Sequence, residues 1–364
     1  MAEMVFLRRR RLTVFLATVV AVFATMGTAR VEQDPCDALA GETIRWIVPF
    51  GAGGGYDLHS RILEPFLEAR LGAEVVVVNV IGAGGNVGAK QLQRAKPDGR
   101  TLGIIHGSTL LVSELFGAGD GPSLPGDFTL LGRLGRVYDV WAVADKSRIR
   151  TMDNFFTNDS GRNFVLGVPS VGSKHWLTGV IVSELLGFEV DFIFGYKGSK
   201  DRTLGLLRGE FDVIGTTASS AIPRVEAGEM RLLILIGEAP VGHEQSLRDV
   251  PRLGGPDGLA ARRARALGRD PGEANSRAEA LARIMAAGRL VAAPPGMDPS
   301  LKSCLEERVF DAMTDADFGA AMMKVGHQLD LARGANVAAS LLAAKRQVAS
   351  FIPIVREGDE KAGQ

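Results

Sequence analysis

The sequence predicts an α/β protein built from two units of the same kind. Three observations carry that expectation. The chain has 364 residues, 46% hydrophobic and 23% charged, enough for two ordinary domains, each with a sizeable core. From residue 43 onward short apolar runs alternate with amphipathic stretches, the signature of a mainly parallel sheet with covered faces. The same alternation restarts near residue 163 without any close sequence repeat.

The elements follow in order. "TIRWIVPF" (43–50) is a strand, and "DLHSRILEPFLEARLG" sets Leu58, Ile62, Leu63, Phe66 and Leu67 on one helical face. Pro65 removes a hydrogen bond within it, so a kink or a late start is expected. "EVVVVNV" (74–80) is nearly continuous and β-branched, as buried strands are. A short helix from Asn86 ends at Pro97-Asp98-Gly99, and "RTLGIIHGS" is a third strand. Two strand-like pieces fill "GDFTLLGRLGRVYDVWAVAD". The second unit runs strand, turn, helix in "NFVLGVPSVGSKHWLTGVIVSELLGF". Strand, polar turn, helix and strand follow in "EVDFIFGYKGSKDRTLGLLRGEFDVIGTT", then a helix and a strand through "MRLLILIG". Residues 254–289 break the rhythm; rich in Ala and Arg, they read as two exposed helices around Asp270-Pro271-Gly272. "LVAAPPG" resumes a strand. Helices capped by Asp298 and by Asp315 or Asp317 come next, then a last helix near residues 336–352.

The first thirty residues differ from the rest. Arg8 to Arg11 precede roughly fifteen uncharged apolar residues, then small residues at Gly27-Thr28-Ala29. That pattern is a secretory signal over residues 1–29, too short for the about 20 apolar residues of a membrane span. The mature protein is therefore expected to be soluble and exported, with no lipid-attachment box before Cys36. The whole chain carries 42 basic and 42 acidic residues; without the signal's four Arg and one Glu, 38 and 41 remain. So mild a charge excludes a strong field for nucleic acid, and no zinc-finger or RNP motif is seen. Two cysteines, Cys36 and Cys304, predict a disulfide in an oxidising compartment, with a pair of buried free thiols as the alternative.

Two glycine-rich turns follow neighbouring strands: "PFGAGGGYD" (49–57) and "IGAGGNVG" (81–88). A turn that opens a helix presents unpaired backbone N–H groups and the positive end of the helix dipole, and glycine lets an anion approach that backbone. Two such turns on one sheet edge make a clasp for one carboxylate. Neither turn completes a dinucleotide fingerprint, "VVVVN" ends in Asn79 rather than an acid, and no Gly-Lys-Ser/Thr phosphate loop follows. Asp57 is either a helix cap or a ligand contact. The histidines His59, His106, His175, His243 and His327 lack metal spacing. His175, at a strand-to-helix turn, is a ligand candidate, Lys197 lies in another polar turn, and Ser199 is placed to cap the helix after it. No nucleophile elbow, reactive-cysteine motif or triad is present, so the expectation is a binding protein without metal, cofactor or enzymatic activity.

The blocks "WIVPFGAGGGYDLHSRI", "EVVVVNVIGAGGNVGAKQLQRAKPDGRTLGI", "GVPSVGSKHWLTG", "YKGS", "LLRGEFDVI", "SAIPRVEAGEMRLL" and "LVAAPPGMDP" together resemble the substrate-binding proteins of tripartite tricarboxylate transporters, the Bug family. The resemblance covers most of residues 43–330. It implies a two-lobed, type II-like periplasmic binding protein that closes about a hinge on a small carboxylate and delivers it, as a monomer, to membrane permease subunits. The alternatives are a sensor subunit and, more remotely, an exported enzyme. The implied division is lobe 1 over residues 41–143 and 235–364, with 254–289 as a solvated helical insertion, and lobe 2 over 144–234. Carried over residue by residue, the first lobe's ligand contacts are Phe50, Ala52, Gly53, Gly54, Gly55, Asp57, Gly84, Gly85 and Asn86, with Ser108 beyond. The second lobe's are Ser170, Gly172, Ser173, His175, Tyr196, Gly198, Ser199 and Thr217. Tyr56 stands where the family often has Thr or Ser, and Lys174 and Trp176 are bulkier than the pattern expects.

Overall fold

The computed structural model describes residues 34–115, 121–157, 161–196, 198–238, 245–327, 329–348 and 351. The expected signal over 1–29 lies outside the described residues, as do Lys197 and His243. The strands are β1 (Thr43–Val48), β2 (Glu74–Asn79), β3 (Thr101–His106), β4 (Thr129–Gly135), β5 (Asp139–Ala144), β6 (Phe164–Gly167), β7 (Val190–Ile193), β8 (Val213–Thr217), β9 (Met230–Ile236), β10 (Arg289–Ala293) and β11 (Ala332–Arg333). The helices are α1 (Gly55–Leu71), α2 (Asn86–Gln93), α3 (Gly107–Leu115), α4 (Asp153–Phe156), α5 (Lys174–Leu186), α6 (Ser199–Arg208), α7 (Ala218–Glu226), α8 (Gln245–Arg248), α9 (Leu259–Ala266), α10 (Pro271–Met285), α11 (Pro299–Met313), α12 (Ala316–Lys324) and α13 (Gly334–Val348).

Two sheets form the two lobes, with orders β11-β4-β10-β3-β1-β2 and β7-β6-β8-β5-β9. Each is mixed rather than mainly parallel. In the first, β1 runs parallel to β2 and β3, whereas β10 is antiparallel to β3 and β4. In the second, β6 is parallel to β7 and β8, whereas β5 is antiparallel to β8 and β9. β10 and β5, each next to a crossing between sheets, run antiparallel to both their neighbours, and the short β11 is antiparallel to β4. The chain leaves the first sheet between β4 and β5 and returns between β9 and β10, so β5 and β9 belong wholly to the second sheet. The boundaries at 143/144 and 234/235 read from sequence therefore fall inside strands.

One buried cluster joins the lobes, including Ile47 and Ile105 of the first sheet, Trp141, Leu166 and Ile234 of the second, and Leu281 and Met285 of α10. Residues 254–289 are thus no solvated insertion. Ala260, Ala264, Ala278, Leu281, Ile284 and Met285 are buried. Their alanines let α9 and α10 pack closely, α9 against α5 of the second lobe and α10 against α3 and α13 of the first. Arg263 bonds the Leu186 carbonyl at 2.9 Å and lies 4.3 Å over the Phe156 ring, its stem covering apolar surface while its head stays polar-bound. Likewise α1 runs unbroken through Pro65, because that residue sits on the exposed face, where the carbonyl it leaves without a donor meets water.

Asp298 and Asp315 cap α11 and α12, each accepting from N–H groups of the first turn. Cys36 and Cys304 are bridged, tying the chain before β1 to α11 across a sequence separation of 268. Closing so long a loop restricts the unfolded chain, so Cys304→Ser is expected to cost about 2–4 kcal/mol. Urea unfolding with and without reductant checks this; identical midpoints would contradict it.

Candidate functional site

The two glycine turns sit side by side at the carboxyl ends of β1 and β2. A Cβ built on Gly85 would lie 3.1 Å from the Phe50 ring, and one on Gly51 would lie 3.6 Å from Ile81. Gly85 has φ +107, a conformation that side chains resist, so only glycine lets the second turn fold against Phe50 here. The tips at Ala52, Gly53, Gly54, Ala83 and Gly84 are exposed. Gly54 is the N-cap of α1 and Gly85 the N-cap of α2, so each turn delivers a helix N-terminus.

Asp57 lies not at the cap but in the first turn of α1, and it is buried. Its carboxylate accepts from Gly53 N–H at 2.8 Å, from Arg61 Nε at 3.0 Å and from Asn79 Nδ2 at 3.0 Å. The Asn79 amide also reaches the Phe50 carbonyl at 2.9 Å, so the residue that ends β2 binds the first turn at two points. Burial opposes ionisation of Asp57, but these bonds hold its carboxyl below the ordinary value. Its acceptor capacity is turned into the protein, which makes it the anchor of the turn rather than a ligand contact. Asn86 is also engaged, donating to Ser113 Oγ at 3.1 Å, and Ser108 Oγ contacts His106 Nδ1 at 3.0 Å.

Beside these turns stands Arg289, the first residue of β10, paired across strands with His106. A Cβ on Gly55 would lie 3.6 Å from its guanidinium, so a cation sits at the N-terminus of α1. Tyr56 packs 4.7 Å from Phe50 and 5.3 Å from His106, and Arg289 lies 5.2 Å over its ring. Arg289 also donates to Ser219 Oγ at 3.2 Å, crossing to the second lobe. Two positive features placed together repel each other; an anion between them would turn the repulsion into attraction.

The second lobe brings the start of α5, after β6, and the start of α7, after β8, near Arg289 and His106: Ser219 accepts from Arg289, and Lys174 acts on His106 through the field. Ser173 caps α5: its hydroxyl donates to the Ser170 carbonyl at 2.6 Å and accepts from Trp176 N–H at 3.4 Å. Gly172, at φ +72, makes that turn. Lys174 and Asp139 form a buried ion pair at 2.7 Å. Burial pulls Lys174 down and Asp139 up, toward the neutral forms, and their mutual attraction opposes both. His175 is half-buried and lies against Gly215, whose added Cβ would lie 3.2 Å from Nδ1. Arg202 of α6 reaches the Gly215 carbonyl at 3.4 Å, and burial lowers it to about 10. Burial holds His59, His106 and His175 well below the usual imidazole value, with Arg289 adding to the effect at His59, Lys174 and Arg289 at His106, and Arg202 and Lys174 at His175. His327 falls to about 4 through burial and Arg289.

The expected second-lobe set divides. His175 lies within the field of His106 of the first lobe, and Thr217 stands opposite Asp139 with its hydroxyl 2.9 Å from Ser220 Oγ. Tyr196 does not turn inward; its hydroxyl donates to Glu210 at 2.7 Å on the outer side of α6. Ser199 is exposed and is not the cap, a position taken by Gly198. Sequence reasoning missed His106, Asp139, Arg202, Ser219 and Arg289. Each sits at an end of an apolar strand or the start of a helix, where a polar residue reads as punctuation; the available signal was a charge, Arg289 or Asp139, directly entering a run that is otherwise buried. A separate crevice behind the hinge holds Arg133, Arg136 and Glu238, but its charges are satisfied internally: Arg133 and Arg136 pair with Asp330 at 2.7 Å each, and Arg136 also with Glu238.

The profile of the tripartite tricarboxylate transporter family receptor matches residues 60–252. The chain is 26% identical to Protein BugT of Bordetella pertussis over 256 residues, 69% of this chain and 77% of that one. It is 28% identical over 250 residues to a UPF0065 protein of Cupriavidus necator, 68% and 75% of the two chains. Its fold matches the periplasmic binding protein BugD (TM-score 0.64, 19% identity, 87% of this chain and 98% of that one). It also matches the R. palustris protein Rpa4515 solved with adipate (0.66, 19%, 86% and 97%) and MatC of Rhodopseudomonas palustris with bound malate (0.61, 20%, 86% and 99%).

Proposed function

The chain belongs to the tripartite tricarboxylate transporter receptor family, and from that premise we propose that it captures a small carboxylate between its lobes and hands it to membrane permease subunits. The observation that carries the reading is the guanidinium of Arg289 at the N-terminus of α1, beside two abutting glycine turns. One ligand carboxylate would sit there, taking N–H groups from residues 52–55 and 84–86 and charge from Arg289. The second lobe closes over it through Thr217, Ser219 and His175. Closure proceeds about the short crossing at 136–138, between β4 and β5. The resemblance of the leader to a secretory signal supports a periplasmic receptor. Carboxylates bound to the solved relatives MatC and Rpa4515 support the ligand class.

The test is a thermal-shift screen of the exported form against mono-, di- and tricarboxylates and neutral amides. A ligand at 100 times its Kd should add about 2.7 kcal/mol of stability. The expected result is a shift confined to carboxylates; a shift with amides alone, or with nothing, would contradict the proposal.

A further inference from the structure

Helix α9 presents two unlike faces. Leu259, Ala260, Ala261 and Ala264 are buried, and the helix packs on α5 and α10. The face turned away from them carries Arg262 and Arg265, both exposed and three residues apart, hence neighbours on the helix surface. Exposed Arg269 follows at once, its backbone N–H closing the helix end on the Ala264 carbonyl at 2.8 Å. Among the described residues neither Arg262 nor Arg265 has an ion pair, and Arg269 meets Glu184 only at 3.9 Å, with both side chains half exposed. Asp270 is engaged as the cap of α10, accepting from Gly272 and Glu273 N–H at 2.7 and 3.3 Å, and Asp257 precedes α9 at its other end. The helix dipole favours cations in the last turn, which accounts for Arg265 but not for Arg262, near the start. The segment also lies beyond residues 60–252, which match the receptor profile, so the family likeness does not account for it.

We propose that the arginine face of α9 is a membrane-docking surface that adsorbs this receptor to anionic phospholipid headgroups. Charge complementarity argues for an anionic occupant, and the chemistry of the face selects among occupants. A protein partner needs apolar or aromatic anchors at the centre of its contact; the exposed apolar group beside these arginines is Leu267, 37% exposed. Insertion into the bilayer is closed to α9, because its apolar side is already covered by α5 and α10. What remains is a convex row of permanently charged guanidinia on long, rotatable stems, suited to a plane of phosphate groups. The contact is therefore peripheral and weakens as salt rises. It shares no residue with the carboxylate site, so it stands or falls independently of that reading.

The experiment co-sediments the exported form with vesicles of phosphatidylcholine alone and with vesicles holding equal parts of phosphatidylcholine and phosphatidylglycerol, at low and at physiological salt. The wild type should bind the anionic vesicles at least about 10-fold more tightly than the neutral ones, and salt should reduce the difference. The double variant Arg262→Glu/Arg265→Glu should lose at least about 10-fold in affinity for the anionic vesicles, while its melting temperature and its stabilisation by a carboxylate stay at the wild-type values. Arg262→Gln/Arg265→Gln, which removes the charge without reversing it, should lose less. Arg94→Glu/Arg346→Glu, which reverses two exposed cations of the first lobe, should bind as the wild type does. No preference of the wild type for anionic vesicles overturns the proposal, as does an equal loss in the Arg94/Arg346 variant, which would make the attraction one of net charge. Binding of polyglutamate without binding of the anionic vesicles assigns the face to an acidic protein and also overturns it.

Discussion

Asp57→Ala is expected to destabilise the protein by about 2–4 kcal/mol and to abolish ligand-induced stabilisation. The loss follows from what the carboxylate holds. Gly53 N–H and the half-buried Asn79 amide lose their shared acceptor, and the part of each shielded from water costs up to the about 1–3 kcal/mol of an unsatisfied group. The Arg61 contact adds less, because that side chain is half exposed and water screens it. The functional loss is the larger effect, since the tip of the first turn is positioned through Gly53. Asp57→Asn keeps one acceptor oxygen and should retain part of both properties. Urea unfolding and thermal shift with a bound carboxylate check this. A variant as stable as the wild type that still binds would show that the turn is fixed by other means.

Acid should weaken the fold well above the pH at which carboxylates titrate. His59 and His106 are buried and His175 is half-buried with Nδ1 shielded; all three are held neutral, their folded values lying well below that of an unfolded imidazole, about 6.5. The unfolded chain therefore takes up these protons first as the pH falls. Stability is full above about pH 6.5 and declines below it, until the folded values are reached. Between pH 7.5 and 5.5 each histidine removes on the order of 1 kcal/mol. Asp57 and Asp212, whose folded values are lowered, add losses only at more acid pH, below the ordinary carboxylate range. Denaturant midpoints at pH 7.5, 6.5 and 5.5 decide the matter; a flat profile would mean that the imidazoles protonate without cost in the folded protein.

The parts legible in the sequence were those set by local physics. Apolar periodicity located the strands, and glycines at fixed places after β1 and β2 located the turns. Asp298 and Asp315 announced their helices because a cap is a short-range device. The rest depended on what tertiary packing brings together. Residues 254–289 looked like a solvated surface because alanine and arginine form good helices anywhere; only the packing of α9 on α5 and of α10 on α3 shows that they brace the lobes. Strand polarity was misread for β10 and β5, since a connection that crosses between lobes imposes no parallel return. Arg289 and Ser219 are 70 residues apart in sequence, and each alone is an ordinary polar residue. Their meaning arises only when β10 and α7 meet.

The claim on which the account rests is that the abutting turns and Arg289 close around an acid group. Calorimetric titration of Gly85→Val with the carboxylate that most stabilises the wild type tests it most directly. At φ +107 and 3.1 Å from the Phe50 ring, a valine there must push the second turn off the first. With folding verified by circular dichroism, the account predicts a loss of at least about 100-fold in affinity, near 2.7 kcal/mol. Wild-type affinity in a folded Gly85→Val protein would contradict it.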